Sequence, residues 1–488
     1  MKTLYKTIIL ILIINGAALA QNFLSQAFYN SYENYKDDLI KERRFGYQNL
    51  VKLIENLKSS PIFEVEIAGK SLNDRNIYLV KIGSGDIKVL AWSQMHGDEA
   101  TATMALFDIF NFLKSDDDFN NFRKNLLKKV TLYFIPMLNP DGAEKFTRRN
   151  ALNIDLNRDA LRLQFPESQT LKKVRDLIKP DFGFNLHDQN TRYTAGNSFK
   201  TATLSFLAPA YNYQKDINSV RTNTMKLIVN LYDQLSEFIP GHIGRYSDDF
   251  EPRAFGDNFV KWGTSSVLIE SGGWKNDEEK QFIRKLNFTA LLTGFQSIAD
   301  KIYEDADIED YKKIPENEKF LFNLLFRNLQ INYANKEYIV DIGINREEEN
   351  LNGSNNFYIK SSIEDFGDLT TFYGNEEYDC TDMTIIEGKI FDKVFSSMNE
   401  IEQLDFKKLY EQGFTSVKLN TQKPDEKFTL LPINIIYDNA DFETEIAPEN
   451  PANFIIKKHG KVKYAIINGF VYDYETEKSN IKNALIFK

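Results

Sequence analysis

Ile87-Lys88-Val89-Leu90-Ala91-Trp92-Ser93-Gln94-Met95-His96-Gly97-Asp98-Glu99 is the stretch on which the fold turns. Six residues with a strand-like apolar character run into a polar exit that carries His-x-x-Glu. A second apolar run, Phe182-Gly183-Phe184-Asn185-Leu186, closes on His187. Two strand exits therefore supply two imidazole nitrogens and one carboxylate. That is the donor set of a catalytic zinc that keeps a fourth position open to water.

Strands and helices alternate outward from this stretch. A polar helical segment runs Glu33 to Lys58, and short strands read from Phe63 to Ile67 and from Asn76 to Val80. A helix begins near Ala100, with Met104, Phe107, Ile109, Phe110, Phe112 and Leu113 as its apolar stripe. Val130 to Leu138 reads as a buried strand stopped by the turn Asn139-Pro140-Asp141-Gly142. Helices follow over Glu167 to Ile178, Asp216 to Phe238 and Asn276 to Tyr303, with a buried strand from Ser265 to Ile269. This order predicts an α/β domain with a mixed central sheet flanked by helices.

Length and composition bound the rest. At 488 residues the chain exceeds one ordinary core, so two domains are expected. Residues 305–316 are charged, include Pro315 and lack apolar periodicity, and read as a linker between a domain over 21–304 and a second over 317–488. The later runs Tyr338 to Ile344, Phe428 to Leu431, Asn434 to Tyr437 and Val462 to Val471 are short, β-prone and separated by Asn/Asp/Gly turns. The second domain is therefore expected to be mostly β. A formal charge of -10 argues against a general nucleic-acid binder. The single cysteine, Cys380, leaves no internal disulfide, so stability must come from the core.

The N-terminus reads as a targeting segment. Lys2 and Lys6 precede the apolar run Ile8 to Ile14, and Ala18-Leu19-Ala20 offers a small-residue cleavage site before Gln21. The run is short for a membrane span, so no stable span is expected after cleavage of residues 1–20. With its abundant Lys, Asn, Ile and Phe, the chain reads as a bacterial exported protein, periplasmic or extracellular.

Each motif has a plain structural reading when taken alone. A histidine before a helix can hydrogen-bond its cap, and a first-turn glutamate can answer the helix dipole. Glu270, directly after Val267-Leu268-Ile269, could be a carboxylate paired at the sheet rim. Arg192 and Arg253 could read an anionic substrate, though the plainer reading is salt-bridged loop residues, and His242 and His459 read as surface or structural ones.

Taken in order, His96-x-x-Glu99, Asn139-Pro140-Asp141-Gly142, Arg148, Asp155-x-Asn157-Arg158, His187 and Glu270 resemble the zinc metallocarboxypeptidases of the carboxypeptidase A-like family. The resemblance covers about residues 40–303. It implies one Zn²⁺ per chain held by His96, Glu99 and His187, with Glu270 as general base. It implies Arg148 as the oxyanion-stabilising group, and Asn157 and Arg158 as the holders of a substrate's terminal carboxylate. Asp155 would fix the His96 tautomer. Arg149 competes with Arg148 for its role. Tyr246 is the nearest candidate for the family's substrate-capping tyrosine, though ordinary packing would also account for it. Asp98 stands where the digestive members carry an arginine, so the chain resembles a divergent bacterial branch. The implied activity is hydrolysis of the C-terminal amide bond of a peptide. The alternatives are a zinc-dependent deacylase acting on an N-acyl amino acid with a free carboxylate, an amidase acting on cell-wall peptides, and a non-catalytic binding protein that retains the fold.

Overall fold

Alternation along β3 (Ile87–Trp92) sets the layers of the first unit. Val89 and Ala91 enter a large core, whereas Leu90 and Trp92 enter a smaller one on the opposite face. The computed structural model describes residues 21–351, 356–421, 425–437, 440, 442 and 444–488. It divides into one unit ending at Lys319 and another running Phe320–Lys488. The segment read as a signal peptide, residues 1–20, lies outside the described residues.

The first unit carries an eight-stranded sheet. Its strands are β1 (Glu64–Lys70), β2 (Asn76–Gly83), β3, β4 (Val130–Ile135), β5 (Phe182–Asp188), β7 (Leu204–Leu207), β8 (Ile243–Arg245) and β9 (Ser265–Ser271). A two-residue β6 (Thr194–Ala195) pairs instead with β10 (Asn317–Glu318). Sheet order is β1-β2-β4-β3-β5-β9-β7-β8. β4, β3, β5 and β9 run parallel, while β1 and β2 on one side and β7 on the other join antiparallel. The sheet is mixed, as the sequence predicts. Its central strands are continuous apolar runs because helices cover both faces.

The helices include α1 (residues 21–31), α2 (Tyr47–Lys58), α3 (Thr101–Lys114), α4 (Asn120–Lys129), α5 (Pro140–Lys145), α6 (Pro166–Ile178), α7 (Ser219–Ser236), α8 (Phe255–Lys261) and α9 (Gln281–Asp300). The larger core joins α2, α3, α7 and α9 to Phe134, Phe184, Val267 and Ile269. The smaller core joins Leu171, Val174 and Ile178 of α6 and Phe255 and Phe259 of α8 to Leu90, Trp92 and Ile135. Phe182, Phe184 and Leu186 face the larger core, so His187 projects to the other side; Glu270 does the same between Ile269 and Ser271. α3 and α9 are bridged by a fully buried ion pair, Asp108 with Arg284. Tyr32 also donates to Asp108, at 3.1 Å, and Arg284 donates to the Ile40 carbonyl at 2.7 Å. The N-terminal segment is thereby pinned to the core.

Several boundaries differ from the sequence reading. The expected helix from Glu33 to Lys58 is broken: a 3₁₀ turn ends at Asn34, and α2 begins only at Tyr47, after Gly46. The Asn139-Pro140-Asp141-Gly142 turn opens α5. Asn139 caps it by accepting from the Gly142 N–H at 2.9 Å, and Pro140 sits in the first turn, where it lacks nothing a helix needs. Residues 305–316, expected as a linker, are packed onto the first unit. Tyr311 and Ile314 belong to its larger core, and the Tyr311 hydroxyl accepts the Ala208 N–H at 3.0 Å. The boundary falls after Lys319 because these apolar residues have a core to enter.

The second unit is mostly β. Its nine-stranded sheet includes the long strands Leu321–Tyr333, Lys336–Asn350 and Phe357–Gly367, paired antiparallel in sequence. Val462 to Val471, read as one run, is a hairpin. Lys461–Ile467 and Phe470–Asp473 meet at Asn468-Gly469, both with positive φ, as a two-residue turn requires. A five-stranded sheet contains Lys389–Phe395, Phe414–Leu419 and Asn434–Tyr437 in parallel, with short helices Met398–Glu402 and Phe406–Glu411. Of the expected strand over Phe428 to Leu431, only Phe428–Thr429 pairs.

Candidate metal centre

β4 lies on one side of β3 and β5 on the other, so the chain crosses over at the β3/β5 strand ends. In open α/β sheets that crossover leaves a crevice at the carboxyl ends. His96 follows the β3 exit, and Glu99 stands just before α3. His187 and Glu270 are register partners on neighbouring parallel strands.

The loop from β3 is held close to the loop after α5. A Cβ on Gly97 would lie 2.1 Å from the Gly142 backbone carbon, so only glycine permits the approach. Gly97 also donates to the Arg148 carbonyl at 3.4 Å. This contact delivers Arg148 to the cluster.

His96 Nδ1 lies 2.7 Å from Glu99 Oε1, and His187 Nδ1 lies 2.6 Å from Glu99 Oε2. The two Nδ1 atoms are 3.2 Å apart. Among the described residues, His96, Glu99 and His187 are the one group of three with metal-ligating atoms this close, within 4.8 Å of one another. All three are buried. Behind His96, Nε2 meets Asp155 Oδ1 at 3.1 Å, which seats a ring proton on the outer nitrogen and turns Nδ1 inward. His187 Nε2 is enclosed without a hydrogen-bond partner.

The donor set fits a zinc ion on three counts. Two imidazoles and a carboxylate are its usual ligands, and two nitrogens on one tetrahedral ion at about 2.0–2.1 Å stand about 3.3 Å apart. A positive group already lies against the same atoms. Arg148 Nη1 is 3.0 Å from both His96 Nδ1 and Glu99 Oε1, and its Nε and Nη2 reach Asp155 Oδ2 at 3.2 and 3.0 Å. Arg149 instead turns away, donating to the Asn153 carbonyl at 3.2 Å.

The electrostatics follow this crowding. Burial pushes the His96 pKa down, but Glu99 and Asp155 more than offset it and carry it up to about 9. At His187 burial prevails and lowers the pKa. Burial alone would raise Glu99, yet the two imidazoles hold it well below the carboxylate range. Glu270 behaves oppositely: burial, then the charge of Glu99, raises its carboxyl well above the ordinary value. Glu270 Oε2 is enclosed and unpartnered. Burial likewise raises Asp98, to about 6, and leaves its Oδ1 unpartnered.

Of the remaining expected residues Asp155 touches this cluster, while Asn157, Arg158 and Tyr246 have partners of their own. Asp155 caps the 3₁₀ turn Leu156–Arg158 by accepting from the Asn157 N–H at 2.9 Å. Asn157 Oδ1 accepts the Phe255 N–H at 2.8 Å, tying that turn to α8. Arg158 is partly exposed, with Nε 3.4 Å from Glu251 Oε2. Glu251 is also gripped by Arg253 at 2.9 and 2.7 Å. Tyr246 packs edge-on against Tyr193, centroids 5.9 Å apart, and burial followed by the Glu270 charge raises its hydroxyl pKa. Glu251 was invisible as a partner of Arg158, since charged pairs this far apart in sequence leave no local signal. His242 is structural, bonded to the Thr201 carbonyl at 2.9 Å and packed on Trp274.

Comparison with known proteins agrees with this geometry. Residues 50–226 match the family model for zinc carboxypeptidase, a span that holds His96, Glu99, Arg148 and His187 and ends before Glu270. Carboxypeptidase 2 of Trichophyton rubrum is 28% identical over 114 residues, 23% of this chain and 20% of that protein. Carboxypeptidase D of Drosophila melanogaster is 28% identical over 178 residues, 32% of this chain and 11% of that protein. The matched stretch thus spans about a fifth or less of these relatives. Among solved structures, a metallo-carboxypeptidase from Burkholderia cenocepacia aligns with a TM-score of 0.42 and 17% identity, covering 52% of this chain and 70% of that one. By this match and the site residues it spans, residues 50–226 of this chain are similar to the zinc carboxypeptidase family.

Proposed function

We propose that the chain is an exported zinc metallocarboxypeptidase that hydrolyses the C-terminal amide bond of peptides. The observation that carries this reading is Glu270: an acid in strand register with His187, one oxygen enclosed and unpartnered, its carboxyl raised by burial. An acid so placed is suited to take and return a proton.

A zinc ion held by His96, Glu99 and His187 would polarise the scissile carbonyl and make an attacking water acidic. Glu270 takes that water's proton and passes it to the leaving amine. Arg148, bound to Glu99 and Asp155 at the cluster rim, offers its guanidinium to the carbonyl oxygen as negative charge develops. Arg158 and the Asn157 amide nitrogen take the terminal carboxylate, Arg158 exchanging its contact with Glu251 for the substrate. Tyr246, kept protonated by its raised pKa, serves as a hydroxyl donor over the bound residue. Export rests on the character of residues 1–20; among the described residues no helix is long and apolar enough to cross a membrane.

The test is a substrate panel of peptides, N-acyl amino acids and muropeptides, assayed with the mature chain with and without chelator. Chelator-sensitive release of C-terminal amino acids supports the reading. Turnover confined to N-acyl amino acids or muropeptides would replace it with a deacylase or a cell-wall amidase. No chelator-sensitive turnover would favour a binding protein.

A further inference from the structure

Lys280, immediately before α9, belongs to none of the motifs above, yet three parts of the site meet at its ammonium group. Nζ lies 2.9 Å from Asp188 Oδ2 and donates to the Ser271 carbonyl at 3.0 Å. Asp188 follows His187 on β5, and Ser271 follows Glu270 on β9. The same Asp188 oxygen accepts the Thr101 hydroxyl at 2.5 Å, two residues beyond Glu99. Asp188 closes the circle, its backbone N–H donating to Glu99 Oε2 at 3.2 Å.

The pair is nearly sealed from solvent, with side-chain exposures of 8% for Lys280 and 9% for Asp188. A lysine is seldom buried unless its charge is paired. Its backbone is also left-handed, φ +51°, a region a β-carbon disfavours. Hydrogen bonds from Lys280 N to the Asp277 carbonyl (3.0 Å) and from Arg284 N to the Lys280 carbonyl (2.8 Å) hold it there. Asn287 separately grips Ser271 Oγ at 2.8 Å, so α9 stays docked without the ammonium.

We propose that Lys280 is a positioning residue of the metal centre, clamping the strand ends that carry His187 and Glu270 against the turn that carries Glu99. The clamp rests on the reading of His96, Glu99 and His187 as a zinc site. Groups behind metal ligands orient them, and their loss costs metal affinity or activity.

The test compares Lys280→Met, Lys280→Arg and Thr101→Val in the mature chain. Zinc affinity is read by chelator competition, kcat and KM by peptide hydrolysis, and folding by thermal melting. Lys280→Met is expected to weaken zinc binding and lower kcat by about 10- to 100-fold each, with KM within about threefold of the parent. Lys280→Arg restores most of both, and Thr101→Val shifts both in the same direction by less. A folded Lys280→Met protein with unchanged zinc affinity and kcat overturns the proposal. So does a Lys280→Arg protein that falls as far as the methionine variant. Should Lys280→Met fail to fold, Thr101→Val decides, and unchanged zinc affinity there overturns it. A parent that binds zinc but cleaves no peptide sinks the peptidase reading alone, because the zinc-affinity comparison still judges the clamp.

Discussion

Replacing Glu270 with glutamine keeps the side chain's shape and removes its capacity to take a proton. The other carboxylates of the cluster offer no substitute: Glu99 is committed to both imidazoles, and Asp155 to His96 and Arg148. A positioned general base contributes about 10²–10⁴-fold. With no second base in place, Glu270→Gln should fall in the upper half of that range, about 10³–10⁴-fold in kcat. At about 1.36 kcal/mol per decade this is about 4–5.5 kcal/mol of transition-state stabilisation. KM should change little and zinc should remain, because Glu270 is not among the three ligating residues. Stability should hold or rise, since an enclosed carboxylate oxygen without a donor is a cost to the folded state. The assay is steady-state hydrolysis of the best panel peptide beside metal analysis and thermal melting of the same preparation. A zinc-loaded variant within a few-fold of parental kcat would refute the base assignment. Loss of zinc with the activity would refute the separation of base from ligands.

Arg158→Met should act chiefly on binding. Loss of hydrogen bonds to a charged carboxylate, about 1.5–3 kcal/mol, should raise KM by about 10- to 150-fold with a smaller change in kcat, and an unchanged KM would contradict the carboxylate seat. Asp108→Ala strands the Arg284 guanidinium in the core and should cost about 3–5 kcal/mol in urea unfolding; a loss under 1 kcal/mol would mean that water or another group reaches the arginine. Asp257 is 7% exposed, and burial pushes its carboxyl up from 3.8 to about 7. A raised acid favours the protonated folded state, so its stabilisation is complete below pH 3.8 and lost as pH rises through about 7. Asp257→Asn should therefore flatten the fall in unfolding free energy between about pH 4 and 7, by up to about 4 kcal/mol, and an unchanged slope in urea unfolding across that range would remove Asp257 as its source.

The central strands were legible because burial on both faces demands unbroken apolar runs, and β3, β5 and β9 supply them. Their ends were legible too, since His96, His187 and Glu270 are polar residues where such runs stop. Sheet order was not, because the antiparallel edges formed by β1, β2 and β7 depend on pairings far apart in sequence. The break at Gly46 was missed because the residues around it are charged enough to pass for a solvated helix. Asn139-Pro140 signals both a turn and a helix start, and only the packing of Ala143 into the core selects the helix. The segment at 305–316 was misjudged by its charge, with Tyr311 and Ile314 too sparse to show periodicity. Partners such as Lys280 and Glu251 were unreadable, because an ion pair between distant loops leaves no trace in spacing. Arg148 was favoured over Arg149 only by its ten-residue offset from Arg158 within the family resemblance, whereas the close approach at Gly97 brings the first to the cluster.

The most direct test of the account is the metal content of the purified protein beside His187→Ala, measured by mass spectrometry after dialysis. One zinc per parental chain, lost from the variant while its fold persists, is the result the account predicts. A parental chain that holds no zinc after loading, or a variant that keeps it undiminished, would contradict it.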